Sequence, residues 1–403
     1  MADILHLLFL PIQIYLIFNV LYVAVSAVAG KLGKGDDTPP GPPNRKRRIA
    51  VLIPAYKEDS VILDTVKANL QQTYPAHLYD LIIIADHFQA DTLLQLGRYP
   101  VKVIAVAFEN STVQRSITYA LNHLPRHDYD VVLISDADNH MAVDFLERID
   151  NAFDGGWRAV QGHRVAKNTN TSVAVFDAVN EEVNNNIFRA GQRALGLSAS
   201  LIGSGMAFET ALLRKAMSQS RTVGGYDKEL EMNLLVDGVR IAYLKEALIY
   251  DEKVQNLEVF ERQRTRWIAA QVYFVRTYFQ TALRQLGKGN LEPVNAFVKA
   301  LLLPRTLFLA TLAAGLFLSL IIGSRTMMNF FGWTLAVLLL SLLLSIPGYL
   351  WRKVSLRDFV TFPLLILRMI RSLTRFKTAK NKFLHTPHGE TIISRRDAEP
   401  QRK

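Results

Sequence analysis

The chain has 403 residues, 50% of them hydrophobic, and its mean hydropathy is +0.12, which excludes a single small soluble domain. The formal net charge is +11, but the basic residues lie beside apolar segments, as at Lys31, Lys34, Arg352 and Lys353. This placement favours contact with membrane lipids and argues against nucleic acid as a partner. There is no cysteine, which excludes disulfides and thiolate metal sites.

The first apolar segment, residues 4–29, is longer than the roughly 20 residues that cross a bilayer. It lacks the basic start of a signal peptide, so we predict a transmembrane helix over residues 1–30. Lys31 and Lys34 follow it and place its carboxyl end on the cytoplasmic side. Residues 31–47 are basic and rich in proline, which predicts a stiff linker.

Residues 48–255 alternate short apolar runs with helical patterns. The predicted strands are 49–53, 81–85, 101–106, 131–135 and 159–161, and the predicted helices are 60–72, 113–124, 142–153 and 173–194. This alternation predicts an α/β domain with a mostly parallel sheet and flanking helices. Ligands bind such sheets at the carboxyl ends of the strands.

The remaining segments predict membrane contact. Residues 256–295 form an amphipathic interfacial region, in which 257–279 is the predicted helix. Apolar runs at 307–323 and 331–350 predict a transmembrane hairpin within residues 296–352. Residues 353–403 predict an interfacial helix over 359–370 and a basic cytoplasmic tail.

Acidic residues follow two of the predicted strands. Asp136 and Asp138 come directly after the strand at 131–135, and such a pair can hold Mg²⁺ or Mn²⁺ together with a diphosphate. Asp86 ends an earlier strand in the same way, so a parallel sheet brings all three acids to one crevice. The alternatives are an acidic loop at Asp136–Asp138 and a helix cap at Asp86.

Asp227 precedes a probable helix and is placed to act as a general base. A helix cap is the alternative for this residue, and Glu229 and Glu231 are further candidates for the base. Pro54 and Tyr56 end the first strand, where they can cradle a nucleobase or ribose.

Gln263, Arg266 and Trp267 form a Gln-x-x-Arg-Trp motif on the predicted amphipathic helix. They offer an amide, a permanent cation for a leaving diphosphate and a flat face for a sugar ring. Tryptophan and arginine also anchor helices at membrane interfaces, a role that we assign to Arg262 and Arg264.

These motifs resemble those of membrane-integrated family-2 glycosyltransferases, which include cellulose, hyaluronan and poly-N-acetylglucosamine synthases. The resemblance covers about residues 48–279 and implies a GT-A-like fold with a Mg²⁺ or Mn²⁺ cofactor. It implies donor contacts from Pro54, Tyr56, Asp86, Asp136, Gln263 and Arg266, metal binding by Asp136 and Asp138, the base Asp227, and acceptor contacts from Trp267, Gly203, Ser204 and Gly205.

The chain departs from the family pattern at three places. Lys57 replaces a usual asparagine, and Gly225 and Tyr226 stand where threonine and glutamate precede the base. Gln114 replaces a basic residue that often precedes the next helix. These changes bear on donor specificity, for which hexose and N-acetylhexosamine remain equal alternatives.

The resemblance implies an inverting enzyme that moves a sugar from a nucleotide donor, UDP-linked by expectation, to a saccharide acceptor during processive polysaccharide synthesis. We expect a multi-pass plasma-membrane protein whose catalytic domain faces the cytoplasm beside export partners of an envelope polysaccharide. One alternative is transfer of a single sugar to a lipid-linked acceptor. Another is a non-catalytic sensor or scaffold that binds nucleotide sugars.

Overall fold

The computed structural model describes residues 2–37, 45–220 and 224–375. The proline-rich stretch 38–44 and the predicted basic tail beyond residue 375 lie outside these ranges. The first helix, α1, runs over Ala2–Leu32 as a single segment through Pro11. It is followed by a domain built on one sheet and then by a series of helices.

The described strands form one sheet of eight strands. They are β1 (Ile49–Tyr56), β2 (Tyr79–Asp86), β3 (Lys102–Val106), β4 (Val131–Ile134), β5 (His140–Met141), β6 (Ala159–Ala166), β7 (Met206–Glu209) and β8 (Ala242–Asp251). Their spatial order is β3-β2-β1-β4-β7-β6-β8-β5. The half formed by β1 to β4 is parallel, whereas β7 is antiparallel to β4 and β6, and β5 is antiparallel to β8. Strands β6 and β8 again pair in parallel. The sheet is therefore mixed, and the expectation of a mostly parallel sheet describes β1 to β4 and the β6–β8 pair.

Helices cover both faces of the sheet. They are α2 (Ile62–Asn69), α3 (Ala90–Leu96), α4 (Val113–His123), α5 (Phe145–Asp154), α6 (Ser172–Asn184), α7 (Gly191–Ala194), α8 (Thr210–Ser218) and α9 (Tyr226–Val236). Alternate residues of each strand enter opposite cores, as Leu52 and Ile53 of β1 do. A π-helical segment, Asn185–Ala190, joins α6 to α7, so the helix predicted over 173–194 is nearly continuous.

The later helices are α10 (Leu257–Gly287), α11 (Leu291–Leu301), α12 (Arg305–Ile322), α13 (Arg325–Ser345), α14 (Gly348–Trp351) and α15 (Leu356–Arg375). Among the described residues, three helices are long and apolar enough to cross a membrane: α1 over Phe9–Leu32, α12 and α13. We call these three helices the membrane bundle. The second helix of the hairpin ends at Ser345, before Pro347, so the predicted run 331–350 is divided between α13 and α14.

Close backbone contact joins the membrane bundle to the sheet domain. A Cβ added at Gly191 of α7 would lie 2.1 Å from the carbonyl oxygen of Ser26 in α1, so only glycine allows this approach. Nearby, Asn186 Nδ2 donates to the carbonyl of Ala27 and to Ser345 Oγ, both at 2.9 Å. The carboxyl-terminal part of α1, around Ser26 and Ala27, therefore packs directly against the sheet domain.

Candidate active site

A cavity of about 680 Å³ lies at the carboxyl ends of β1 and β4, beneath α9 and α10. Most residues predicted from the motifs line it: Pro54, Tyr56, Asp136, Asp138, Gly203, Asp227, Gln263, Arg266 and Trp267. The chain therefore brings residues from both ends of the sheet domain into one space. A volume of this size lies in the ordinary range for ligand pockets.

The loop after β4 holds Asp136 and Asp138 in place. The backbone N–H of Asp136 donates to Ser204 Oγ at 2.9 Å, and Asp138 Oδ2 accepts from the N–H of Glu252 at 3.2 Å. Asn139 completes the loop, because its amide donates to the carboxylates of Asp138 and Asp251 at 3.1 Å. Sequence reasoning gave no role to Asn139, although it follows the acidic pair directly.

Ser204 and Gly205 lie behind this loop, outside the lining of the cavity. Ser204 is fully buried, and the N–H of Gly205 donates to the carbonyl of Ile134 at 2.9 Å. A side chain at Gly205 would come within 2.8 Å of Ile249, so a glycine is needed there. Of the three predicted acceptor residues in this loop, Gly203, Ser204 and Gly205, only Gly203 lines the cavity. The other two are positioned to support the acidic loop.

The carboxylates of Asp136 and Asp138 fit a magnesium or manganese ion, because both metals prefer oxygen ligands. Asp251 and Glu252 line the same wall. Within the described ranges there is no group of three or more acidic, histidine or cysteine side chains arranged to hold a metal by themselves.

Asp86 lies beside Tyr56 in the β1–β2 register but does not line the cavity. Its side chain is buried, and Oδ1 accepts from the N–H of Phe108 at 3.2 Å and contacts His87 Nδ1 at 2.7 Å. Its Oδ2 atom has no hydrogen-bond partner among the described residues. A buried acceptor without a donor is rare, and the N–H of a nucleobase is a suitable partner for it.

Two residues with side chains adopt the left-handed backbone region at the ends of β1 and β2. Lys57 has a φ of +55° and His87 a φ of +58°. Asparagine and histidine enter this region more readily than lysine. The asparagine that the family resemblance leads one to expect at position 57 would suit this backbone conformation. Lys57 adopts the same conformation with backbone strain, beside the cavity.

Asp227 lies in the first turn of α9, at the wall of the cavity. It follows Gly225, whose φ of +74° and 2.9 Å Cβ approach to Ala270 require glycine. Burial raises the pKa of the Asp227 carboxyl, Lys228 opposes this shift, and the nearby Glu231 carboxylate adds to it. A carboxylate is a more effective general base when its pKa is raised towards the working pH. Glu229 instead accepts a hydrogen bond from Ser220 at 2.5 Å and does not line the cavity.

Tyr226 was not predicted to be part of the site. Its hydroxyl donates to the carbonyl of Gly203 at 2.6 Å, which ties the start of α9 to the loop behind the acidic pair. Burial raises the pKa of Tyr226 well above its usual value, and the carboxylates of Asp136 and Asp227 add to the shift. The side chain therefore remains a neutral hydrogen-bond donor where the family places a glutamate.

The Gln-x-x-Arg-Trp residues share one face of α10, as their spacing of three and four residues requires. Gln263 Oε1 is buried without a partner among the described residues, so it is available to a ligand. Burial lowers the pKa of Arg266, and the carboxylate of Asp136 opposes the shift. Trp267 is 38% exposed, which leaves part of its ring accessible.

Arg264 differs from its predicted role as a membrane anchor. It is buried, donates to Asp177 Oδ1 at 2.5 Å and lies 4.1 Å from the centre of the Trp267 ring. Arg264 therefore braces Trp267 through a cation–π contact. Arg262 is exposed, as an anchor would be.

Buried ion pairs form the rest of the wall, and no motif in the sequence predicted them. Arg164 pairs with Glu181 at 2.8 Å, and Lys253 pairs with Asp251 at 2.7 Å. In total, nine carboxylates and six cationic side chains line the cavity. The cavity is therefore acidic within a basic chain.

Comparison with known proteins identifies the family. Residues 45–270, more than half of the chain, match the family described as "Glycosyltransferase like family 2". The chain belongs to this family. Its sheet domain is thus a family-2 glycosyltransferase domain, and the acidic pair and the Gln-x-x-Arg-Trp motif lie within the matched range.

Two curated relatives support this identification. The chain is 24% identical over 235 residues to the probable glycosyltransferase YdaM of Bacillus subtilis, which covers 57% of this chain and 56% of that protein. It is 31% identical over 137 residues to hyaluronan synthase of Streptococcus pyogenes, which covers 31% of this chain and 32% of the synthase. The matches thus span about half of YdaM and a third of the synthase.

A solved structure shares the fold. The mannosyltransferase PcManGT from Pyrobaculum calidifontis, in complex with GDP-Man and Mn²⁺, superposes with a TM-score of 0.59 and 18% identity. The match covers 92% of this chain and 99% of that one. The likeness establishes a GT-A-like fold.

Proposed function

We propose that the protein is an inverting glycosyltransferase that moves a sugar from a nucleotide donor to a saccharide acceptor. The observation that carries this proposal is the convergence of Asp136, Asp138, Asp227, Arg266 and Trp267 on one cavity. Together they supply groups for the donor diphosphate, the proton transfer and the acceptor ring.

The donor is a nucleotide sugar, with UDP as the expected nucleotide. Asp136 and Asp138 hold a Mg²⁺ or Mn²⁺ ion, which supplies positive charge to the diphosphate when bound. The solved mannosyltransferase relative carries GDP-Man and Mn²⁺, which supports the same donor class here. Arg266 and Gln263 lie on the wall that the diphosphate faces, and Asp86 accepts from the base.

The acceptor hydroxyl reacts at Asp227. Its carboxylate takes the proton while the hydroxyl oxygen bonds to the anomeric carbon from the face opposite the diphosphate. The bond from that carbon to the phosphate oxygen breaks, and its electron pair leaves with the nucleotide. This displacement inverts the anomeric configuration. Arg266 stabilises the charge on the leaving group, and the accessible face of Trp267 orients the acceptor ring.

The protein is proposed to be a multi-pass plasma-membrane enzyme whose sheet domain lies in the cytoplasm. Three apolar helices and the hyaluronan synthase relative support membrane association. Lys31 and Lys34 at the carboxyl end of α1, and Arg352 and Lys353 after the hairpin, support the cytoplasmic orientation. Membrane lipids and export partners of an envelope polysaccharide complete the proposed surroundings.

The membrane bundle favours the second candidate, transfer to a lipid-linked saccharide, over extrusion of a polymer by one chain. The three helices share a core of apolar side chains that includes Leu16, Val20, Phe308, Leu312 and Leu338. A hydrated polysaccharide needs polar walls to cross a bilayer. Processive synthesis by this protein therefore requires a route through a second subunit or an export partner.

A donor panel tests the proposed function. Purified protein in detergent is incubated with UDP- and GDP-sugars, with Mn²⁺ or with EDTA, and released nucleotide and labelled product are measured. We expect turnover with one donor class and loss of turnover with EDTA. In the Asp138→Asn variant, kcat should fall by about a hundredfold or more, which is the usual effect of removing one group that stabilises charge in the transition state. Binding of a donor without any turnover would instead identify a sensor or scaffold.

A further inference from the structure

The cavity continues past Asp227 towards the membrane bundle. Glu231 of α9 and Lys299 of α11 line this end, together with Ser200, Gln271, Ala296 and Ala300. We call it the membrane-side extension. The family motifs account for none of these residues.

A preformed polar group stands at the centre of the extension. Lys299 Nζ donates to Glu231 Oε1 at 2.8 Å and to Ser200 Oγ at 2.5 Å, and Glu231 Oε2 accepts from the N–H of Leu201 at 3.0 Å. The Glu231 and Lys299 side chains are only 7% and 9% exposed. Both groups are therefore held in fixed positions at the cavity wall.

This ion pair is not what packing alone would favour. Burying two charges carries a desolvation cost that apolar side chains of similar volume avoid. Contact between α9 and α11 does not require it, because Leu235 and Phe297 already belong to one shared apolar core. Its position on the lining of the cavity points to contact with a ligand.

The spacing from Asp227 matches the length of a saccharide chain. Glu231 lies four residues after Asp227, so both side chains leave α9 on the same face. Four residues of α-helix rise about 6 Å, which is similar to one sugar unit of an oligosaccharide. An acceptor whose terminal hydroxyl meets Asp227 therefore places its next ring at Glu231.

The walls of the extension suit a sugar ring. Ala296 and Ala300 of α11 face the cavity with small side chains, and Tyr273 and Phe274 of α10 contribute aromatic surface. Lys299 and Glu231 add a donor and an acceptor for hydroxyl groups. Pyranose rings combine apolar faces with hydroxyl edges in the same way.

Charge selects among possible acceptors. Lys299 and Glu231 offset each other, and the cavity as a whole carries more carboxylates than cations. The extension itself therefore offers no net positive charge to hold an acceptor phosphate. The extension therefore suits an uncharged saccharide.

We propose that the membrane-side extension is a binding subsite for the second ring of an uncharged saccharide acceptor, so that the enzyme extends chains of two or more sugars in preference to single sugars. This inference rests on the proposed function. It identifies Glu231 and Lys299 as residues that set acceptor length, and it excludes a prenyl phosphate as the direct acceptor.

Acceptor length tests the subsite. The acceptors are the methyl glycoside of the sugar identified by the donor panel, the corresponding methyl disaccharide and farnesyl phosphate. We expect the native protein to use the disaccharide with a kcat/KM roughly tenfold above that of the monosaccharide, the effect of one or two hydrogen bonds. The double variant Glu231→Gln/Lys299→Met, which stays electrically neutral, loses this preference.

A matched control and a second variant separate the subsite from a structural role. Lys215→Met/Asp237→Asn removes an ion pair of 2.8 Å between α8 and the residue that follows α9, outside the cavity, and keeps the preference for the disaccharide. Ala300→Leu leaves the ion pair intact and fills the extension, so it also removes the preference. It serves as the test if the double variant does not fold.

Three outcomes overturn the subsite: equal use of the two saccharides by the native protein, an unchanged preference in both subsite variants, or transfer to farnesyl phosphate alone. Donor hydrolysis is measured in every sample. If no donor is turned over and no acceptor is glycosylated, the proposed function itself fails, and the subsite fails with it. Turnover of donor without a length preference overturns the subsite alone.

Discussion

The cavity and the membrane bundle have opposite interiors. Charged and polar side chains line the cavity, including the Arg164–Glu181 and Lys299–Glu231 pairs, whereas Leu16, Phe308 and Leu312 fill the bundle. Polar side chains in the bundle have hydrogen-bond partners: Ser345 Oγ donates to the carbonyl of Ser341 at 2.8 Å and accepts from Asn186 of the sheet domain. Under the proposed function, the first region carries the chemistry and the second associates with the membrane.

Asp227→Asn gives the largest expected effect. The variant loses the base, so kcat falls roughly a thousandfold, within the range for general-base catalysis. Thermal stability at pH 7 does not fall, because burial penalises the ionised carboxyl and asparagine carries no charge. Rates and melting curves in detergent measure both effects.

Asp237→Asn is the control for this change, because Asp237 follows the other end of the same helix and lies outside the cavity. A loss of activity equal to that of Asp227→Asn would show that α9 is sensitive to any such change. Full activity in Asp227→Asn would remove Asp227 from the base role.

Leu312→Ala tests the bundle side of the contrast. Leu312 is fully buried among the three apolar helices, so its truncation leaves a cavity and lowers stability by about 2 kcal/mol, the lower end for such changes. The kcat of the folded fraction remains unchanged. Leu320→Ala, at a position 55% exposed on the same helix, is the matched control. A fall in kcat at Leu312 without a fall at Leu320 would show that the bundle contributes to catalysis.

Lys228→Met gives the smallest effect and sharpens the electrostatics of the cavity. Lys228 lowers the pKa of the Asp227 carboxyl, so its removal raises that pKa further above the usual value. The base must be ionised to act. The acid limb of the kcat profile therefore moves to higher pH.

The control for this shift is Lys215→Met, which removes an exposed cation from α8 and leaves the profile unchanged. A shift to lower pH, or equal shifts in the two variants, would contradict the assignment of the acid limb to Asp227.

The parallel half of the sheet was predictable because β1 to β4 are apolar and follow one another in the chain. β7 has only four residues and gave no periodic signal. In β8, the pairing steps from Leu244 to Leu248 opposite Gly162 and His163, so Lys245 and Glu246 fall in an irregular stretch. These charges interrupted the apolar pattern by which the other strands were recognised.

Short motifs predicted the residues that touch the cavity but not those that hold them. Asp136, Asp138 and Arg266 belong to compact patterns, so their convergence was expected. Lys299 meets Glu231 across 68 positions of chain, and no local pattern records such a pair. Ser204 was expected from the family resemblance to contact the acceptor, whereas its bond to the Asp136 N–H depends on how β4 and β7 pair.

The glycine contact between α1 and α7 has a practical consequence for handling the enzyme. Gly191 contacts the Ser26 carbonyl, and Val183 and Ile187 pack in the same core as Val23. The first helix is therefore packed into the domain and cannot be removed like a flexible membrane anchor. Trimming it away to obtain a water-soluble fragment would uncover apolar surface directly behind the π-helical segment that carries Arg189. Crystallisation and assay are best undertaken with the intact chain in a lipid-like medium.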